Sequence, residues 1–218
     1  MKYFKIFVAI VAIAVIGATD AYAQNLDERI EALYNAGEYD ALEACLDSTL
    51  ALDSKNVLAW LYKALVYIDG FEHSGALICY DKVLAIEPEN ATAWNNKGTT
   101  YLYMGRYEEA IKCFDRALAI APDDAIAWHN KGLSKYHLER YEEALECFDK
   151  ALAIEPKDDT WVYKGNVYNE LKRYEEALES YSRALELAPD EHKAYIQMNI
   201  DETLEDVKNA TSPTFPSE

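Results

Sequence analysis

The sequence predicts an all-α fold, an α-solenoid of stacked antiparallel helix hairpins. Two observations predict it. A short phrase recurs at nearly constant spacing, as YEEAIKCFD (107–115), YEEALECFD (141–149) and YEEALESYS (174–182). The apolar residues within and before each phrase recur at i, i+3, i+4 and i+7, which is the spacing of an amphipathic helix. Because a fixed period of this length is typical of stacked repeats, we expect about five repeats followed by a C-terminal capping helix.

Tryptophan and proline mark the limits of the repeats. All four tryptophans open similar blocks, and a proline closes each block. The resulting units are 57–90, 91–124, 125–158 and 159–191. A fainter copy at 24–56 has Leu26 in place of the tryptophan. We expect the tryptophans to be core residues.

Each unit is predicted to be a helical hairpin, as 91–124 illustrates. One apolar set begins at Trp94 and a second at Tyr107, and Gly105 lies in the turn between them. Glycine suits the end of a helix because it adopts positive φ at no steric cost. Gly98 and Ala110 are small residues where the two helices of a hairpin would approach closely.

The order of residues within the unit resembles the tetratricopeptide repeat (TPR) family. In 91–124 the matching residues are Trp94, Gly98, Tyr101, Ala110, Phe114, Ala117 and Pro122. Unit 125–158 departs at Lys135, where the family has an aromatic residue, and unit 57–90 departs at Ala64 and Val83. The sequence of the repeats is especially similar to TPR arrays of methanogenic archaea. The resemblance implies a right-handed superhelix whose first helices line a concave groove.

The resemblance also implies which residues form the groove. Carried over by position from each tryptophan, the candidate partner-binding residues are Asn95, Asn96, Thr99, Tyr103, His129, Asn130, Tyr136, His137, Tyr163, Asn166 and Asn169. Asparagine both donates and accepts hydrogen bonds, and tyrosine offers rigid area with a polar tip. The alternative for the asparagines is a plain solvated helix face. The Lys and Arg clamp of some cytoplasmic TPR co-chaperones is not present at these positions.

The two ends of the chain have a different character. Residues 1–23 combine Lys2 and Lys5, an apolar run and Ala21-Tyr22-Ala23, which predicts a signal peptide cleaved near Ala23. The protein is then extracytoplasmic, whether secreted, periplasmic or at the cell surface, and the alternative is an uncleaved anchor. Residues 192–210 are predicted to form the capping helix and 211–218 a disordered tail.

Charge and motif content narrow the possible functions. A formal net charge of −18 disfavours nucleic acid and any specific membrane lipid as a partner. No catalytic, cofactor-binding or metal-ligating set is predicted, and His129 and His137 lack the i, i+4 spacing of a helical metal pair. The four cysteines are 34 residues apart, one in each of the first four units, so they should be too distant for disulfides and are predicted to be free.

The predicted function is a non-catalytic scaffold that binds a protein or peptide partner of unknown identity in its groove, without cofactors. One alternative is a structural scaffold that self-associates in the cell envelope. A lesser alternative is an enzyme, although the repeats and the two ends leave no room for a catalytic domain.

Overall fold

In a computed structural model, residue 26 and residues 28–211 are described, and they form helices without strands. The first helix, α1, spans 28–36. The others are α2 (Tyr39–Leu52), α3 (Val57–Asp69), α4 (His73–Ile86), α5 (Ala91–Tyr103), α6 (Tyr107–Ile120), α7 (Ala125–His137), α8 (Tyr141–Ile154), α9 (Asp158–Glu170), α10 (Tyr174–Leu187) and α11 (Asp190–Thr211). The predicted signal peptide and the tail after 211 lie outside the described residues.

The helices pack as antiparallel hairpins, and the chain divides after Pro88 into two compact units. In the first unit α2 packs on α3, and α3 pairs with α4. In the second unit α5 pairs with α6, α7 with α8, and α9 with α10, and α11 packs on α10. The all-α stack of hairpins predicted from the period is confirmed within both units. None of the described helices has the length and apolar content needed to cross a membrane.

Local sequence signals explain where the helices begin and turn. The side chains of Asn56, Asn90 and Asp124 accept hydrogen bonds from backbone N–H groups three residues later, which caps α3, α5 and α7. The turn inside each hairpin needs one residue with positive φ. Gly105 supplies it after α5, as predicted, with φ 70°. Glu139 and Lys172 take the same left-handed conformation after α7 and α9, at φ 58°.

One buried aromatic ring fills the centre of each of the four hairpins from α3–α4 to α9–α10. These rings belong to Tyr80, Phe114, Phe148 and Tyr181, and each is at most 2% exposed. In the second unit a glycine of the first helix lies directly against the ring. A Cβ at Gly132 would stand 2.7 Å from Phe148 Cε1, closer than such contacts occur. The small residues predicted where the two helices approach closely are therefore needed to leave room for the aromatic ring of the second helix.

The tryptophans differ from the expectation, because they are half-buried rather than core residues. Trp128 donates its Nε1 hydrogen to the Pro122 carbonyl, at 2.9 Å. Its ring lies between Lys131 Nζ, at 4.9 Å, and Lys150 Nζ, at 4.2 Å from the ring centroid. The indole holds a hydrogen-bond donor that needs a partner, and its ring attracts the two nearby cations. The ring therefore packs at the edge of the core.

Lysine–aspartate pairs join successive hairpins. Lys131 of α7 pairs with Asp115 of α6 at 2.6 Å, and Lys164 of α9 pairs with Asp149 of α8 at 2.5 Å. Lys63 of α3 and Asp47 of α2 make the same pair in the first unit. These aspartates end the repeated phrase, and the lysines stand three residues after each tryptophan. The lysine and the aspartate of each pair therefore stand at the same repeat positions, so the ion pair recurs between successive hairpins.

Lys135, the departure from the family pattern, is buried and 8% exposed. Its ammonium group lies 2.7 Å from Glu143 Oε2 of α8. In the other two hairpins of the second unit the same place holds Tyr101 or Tyr168, with an arginine over its ring. An ion pair thus replaces an aromatic contact between the two helices of this hairpin.

The four cysteines, Cys45, Cys79, Cys113 and Cys147, are free and buried. Burial raises the pKa of Cys79 to about 11 and also raises that of Cys147. A thiol with a raised pKa holds little thiolate, so these side chains act as small apolar residues.

Helix α11 covers the last hairpin. Ile196, 1% exposed, packs in one cluster with Val162, Ala177 and Tyr181. The opposite side of α11 is acidic and exposed, including Asp201, Glu202 and Glu205.

Candidate binding surface

The candidate residues lie on three helices of the second unit that are in contact with one another. Helix α5 contacts α7, and α7 contacts α9. Each of these is the first helix of its hairpin, so together they form one layer. All eleven predicted groove residues belong to this layer, and they run from Asn95 in α5 to Asn169 in α9.

Two hydrogen bonds connect the layer from helix to helix. Asn130 Nδ2 of α7 donates to Thr99 Oγ1 of α5, at 3.2 Å. His129 Nδ1 of α7 lies 2.9 Å from Thr160 Oγ1 of α9. Three of the predicted groove residues are therefore engaged within the protein, and they fix the spacing of the helices.

An aromatic cluster occupies the α7–α9 part of the layer. The Tyr163 ring centroid lies 5.6 Å from that of His129 and 6.4 Å from that of Tyr136, both with edge-on geometry. Tyr163 also stacks on the buried Phe148 at 6.3 Å. Burial raises the pKa of Tyr136 and of Tyr163 and lowers the pKa of His129. The cluster therefore presents neutral rings with hydroxyl groups at physiological pH.

A second aromatic contact lies at the α7 C-terminus. The imidazole of His137 stacks on Tyr107 of α6, with centroids 4.8 Å apart and planes 16° apart. His137 and His129 thus contact different neighbours, in agreement with their spacing in the sequence. No group of three histidine, cysteine or acidic side chains in the described part of the chain could hold a metal ion.

The remaining candidates differ in how far they are available to a ligand. Tyr103 is the most exposed ring of the set, at 68%. Asn166 Oδ1 accepts a hydrogen bond from the Tyr181 hydroxyl at 2.8 Å, so it supports the core. The Oδ1 atoms of Asn95 and Asn169 are buried and have no hydrogen-bond partner within residues 28–211. Asn96 is half-buried.

Two cavities open beside this layer, and both include Asp159. One, of about 290 Å³, lies between α7 and α9 and is lined by His129, Asn130 and Thr160. The other, of about 220 Å³, lies between α9 and α11 and is lined by Tyr163, Tyr195 and His192. Tyr195 and His192 were not among the predicted site residues, because they lie on α11, which was predicted only as a capping helix. The sequence signal that α11 also contributes to this surface was Tyr195, which occupies the position that tryptophan holds in the preceding repeats.

Comparison with known proteins identifies the repeats. The sequence profile of the tetratricopeptide repeat matches residues 91–124, 125–158 and 159–191. No curated protein sequence matches the chain. The three matches cover a little under half of the chain, and they carry the residues that form the hairpins described above. Residues 91–191 therefore consist of three tetratricopeptide repeats.

Solved structures show the same fold. PilW, described as a widely conserved type IV pilus biogenesis factor, superposes with a TM-score of 0.73 at 22% identity, over 85% of this chain and 87% of PilW. MamA from Desulfovibrio magneticus RS-1 gives 0.70 at 20% identity, over 76% and 94%. YrrB, described as a TPR protein with an unusual peptide-binding site, gives 0.66 at 22% identity, over 84% and 90%. At these identities the likeness concerns the fold alone.

Proposed function

We propose that this protein is an exported, non-catalytic interaction scaffold that binds a segment of a partner protein along α5, α7 and α9. The observation that carries the proposal is the aromatic and amide surface around Tyr136 and Tyr163. Tyrosine is enriched at binding hot spots because it adds much contact area at little entropic cost.

Two further points support this function. The peptide-binding site named for YrrB shows that a chain of this fold can bind a peptide. Hydrogen bonds and ring contacts also connect α5, α7 and α9, so the layer is already formed without a partner. A preformed surface loses less conformational freedom on binding, so its contacts yield more affinity.

A selection experiment tests the proposal. Short peptides are selected from a displayed random library against the full chain, and their affinities are measured by calorimetry. Tyr103→Ala is expected to weaken binding about tenfold, as for loss of a hot-spot tyrosine. Because Tyr103 is mostly exposed, the fold should be unaffected, and circular dichroism checks this.

The matched control is Ile154→Ala, which removes a 40% exposed apolar side chain from the second helix α8. It should leave peptide affinity unchanged. If Ile154→Ala weakened binding and Tyr103→Ala did not, the binding surface would lie on the second helices instead.

The export part of the proposal rests on the sequence of residues 1–23. Mass spectrometry of the protein purified from its source organism should give Gln24 as the first residue. A first residue at Met1, in a membrane fraction, would indicate the uncleaved anchor.

A further inference from the structure

We propose that the cavity between α9 and α11 binds an arginine side chain, so that partner segments are selected for an arginine that reaches this cavity. This inference rests on the proposed function and specifies the chemistry of the partner.

The cavity has the size of one side chain. Its volume is about 220 Å³, and it is lined by Asp158, Asp159, Val162, Tyr163, His192, Tyr195 and Ile196. At roughly 30 Å³ per water molecule, that space equals about seven waters. A long side chain fits, whereas a helix or a strand does not.

Two tyrosines give the cavity aromatic walls. Tyr163 is half-buried and held by Phe148 and His129, so its orientation is fixed. Tyr195 comes from α11 and is 53% exposed. Tyrosine faces attract cations through the ring quadrupole. Val162 and Ile196, 6% and 1% exposed, form an apolar floor that suits the methylene stem of an arginine.

The cavity holds one cationic side chain, His192, against two carboxylates, Asp158 and Asp159, and these acidic neighbours raise the pKa of His192. Asp158 Oδ2 pairs with His192 Nδ1 at 2.7 Å. Asp159 Oδ1 accepts hydrogen bonds from the backbone and hydroxyl of Thr160, and neither Asp159 oxygen has an ion-pair partner within residues 28–211. The lysines nearest in sequence are engaged elsewhere, Lys157 with Glu155 and Lys193 with Asp190. A guanidinium group would therefore pair with Asp159, which is exposed and has no cationic partner within residues 28–211.

The titration of Tyr163 agrees with this reading. Burial raises its pKa most, and the neighbouring Tyr195 and Asp159 raise it further. Burial opposes a charge of either sign, so only the contribution of Asp159 reports a negative charge beside the ring.

Arginine suits the cavity better than lysine for geometric reasons. Its planar guanidinium group can stack on a tyrosine ring while its N–H groups donate to a carboxylate. The ammonium group of lysine is a more strongly hydrated point charge and loses more on entering an aromatic-lined cavity.

Single-residue probes test this without knowledge of the natural partner. N-acetyl-arginine amide is titrated into the isotope-labelled full chain, and amide chemical shifts are followed by NMR. Saturable shifts are expected at residues 158–163 and 192–196. N-acetyl-lysine amide should bind more weakly, and the neutral N-acetyl-citrulline amide should give no saturable shift.

Asp159→Asn is the decisive variant, because asparagine keeps the Oδ1 acceptor for Thr160 but loses the charge. It should weaken arginine binding by about tenfold. The control Asp206→Asn removes the same charge from an exposed position on α11, about 16 Å along the helix from Tyr195. It should bind as the parent does.

Several outcomes would overturn the inference: equal affinity for arginine and citrulline, equal affinity for arginine and lysine, or equal losses in Asp159→Asn and Asp206→Asn. If selected peptides bind the layer and show no arginine preference, the cavity assignment is wrong and the proposed function stands. If the arginine probe binds at the cavity but no peptide can be selected, the cavity assignment stands and the proposed function fails.

Discussion

At the scale of single residues, the contact between Gly132 and Phe148 decides how closely α7 and α8 approach. Gly132→Ala should destabilise the protein by about 1–2 kcal/mol. Overpacking a core costs about 1–3 kcal/mol, and alanine recovers at most about 1 kcal/mol through its better helix propensity. Chemical denaturation at equilibrium measures the change in the free energy of unfolding.

Gly70→Ala is the control for this prediction. Gly70 follows α3, and a Cβ there would meet its nearest neighbour, Val66 O, at an ordinary 3.5 Å. It should change stability by less than about 0.5 kcal/mol. A Gly132→Ala variant as stable as Gly70→Ala would show that the ring of Phe148 moves aside freely.

The buried thiols give a second prediction at this scale. With the pKa of Cys79 near 11, its thiolate fraction at pH 8 is on the order of a hundredfold below that of a thiol with pKa 9. In the native protein Cys79 should therefore react slowly with a disulfide reagent, and the burial of the other three thiols should slow their reaction. All four should react at once in denaturant, with or without prior reduction. Fewer than four reactive thiols in the unreduced, unfolded protein would indicate disulfides.

At the scale of helices, the Lys135–Glu143 pair shows how one hairpin can use an ion pair where its neighbours use a ring. Arg140 first and Lys135 second hold the pKa of Glu143 at about 2. This pKa lies below the ordinary glutamate value of about 4.3. The ion pairs of Glu143 therefore stabilise the folded protein fully above about pH 4.3, and this stabilisation is lost as the pH falls through about 2.

Lys135→Tyr should therefore leave stability at pH 7 unchanged or raise it, since Arg140 can then lie over the ring as Arg106 lies over Tyr101. It should also reduce the loss of stability between about pH 4 and pH 2, because Glu143 then has one cationic partner fewer. Urea unfolding at pH 7 and at several acidic pH values checks both parts. A large loss of stability at pH 7 would mean that the ion pair is required for the hairpin to pack.

Helix α11 follows the last complete hairpin, and we predict that the packing of Ile196 holds it there. Ile196→Ala should cost about 2–4 kcal/mol, because it leaves a cavity over Val162 and Tyr181. Leu204→Ala, on the same helix but 40% exposed, should cost much less. Equal effects in thermal unfolding would show that α11 is not held by the core of the hairpin.

The repeat period was sufficient to predict the hairpins and their turns, because these depend on contacts close in sequence. The Lys131–Asp115 pair was missed because its members lie on different repeats, although both recur with the period. The partly exposed tryptophans were mistaken for core residues, because a pattern of apolar residues does not reveal an indole N–H bonded to a backbone carbonyl. Asn166 was assigned to the groove by position, and its bond to Tyr181 depends on the rotation of a side chain.

At the scale of the whole molecule, the net charge of −18 gives the two competing functions opposite salt dependences. Binding of a segment that carries arginine should weaken as salt rises, because ions screen the attraction beyond about 8 Å at physiological strength. Self-association of copies this acidic should strengthen with salt, because screening removes their repulsion. We expect light scattering to give the monomer mass at all protein and salt concentrations, and calorimetry to show weaker arginine-peptide binding at high salt. A mass that rises with both salt and protein concentration would instead favour the self-associating scaffold.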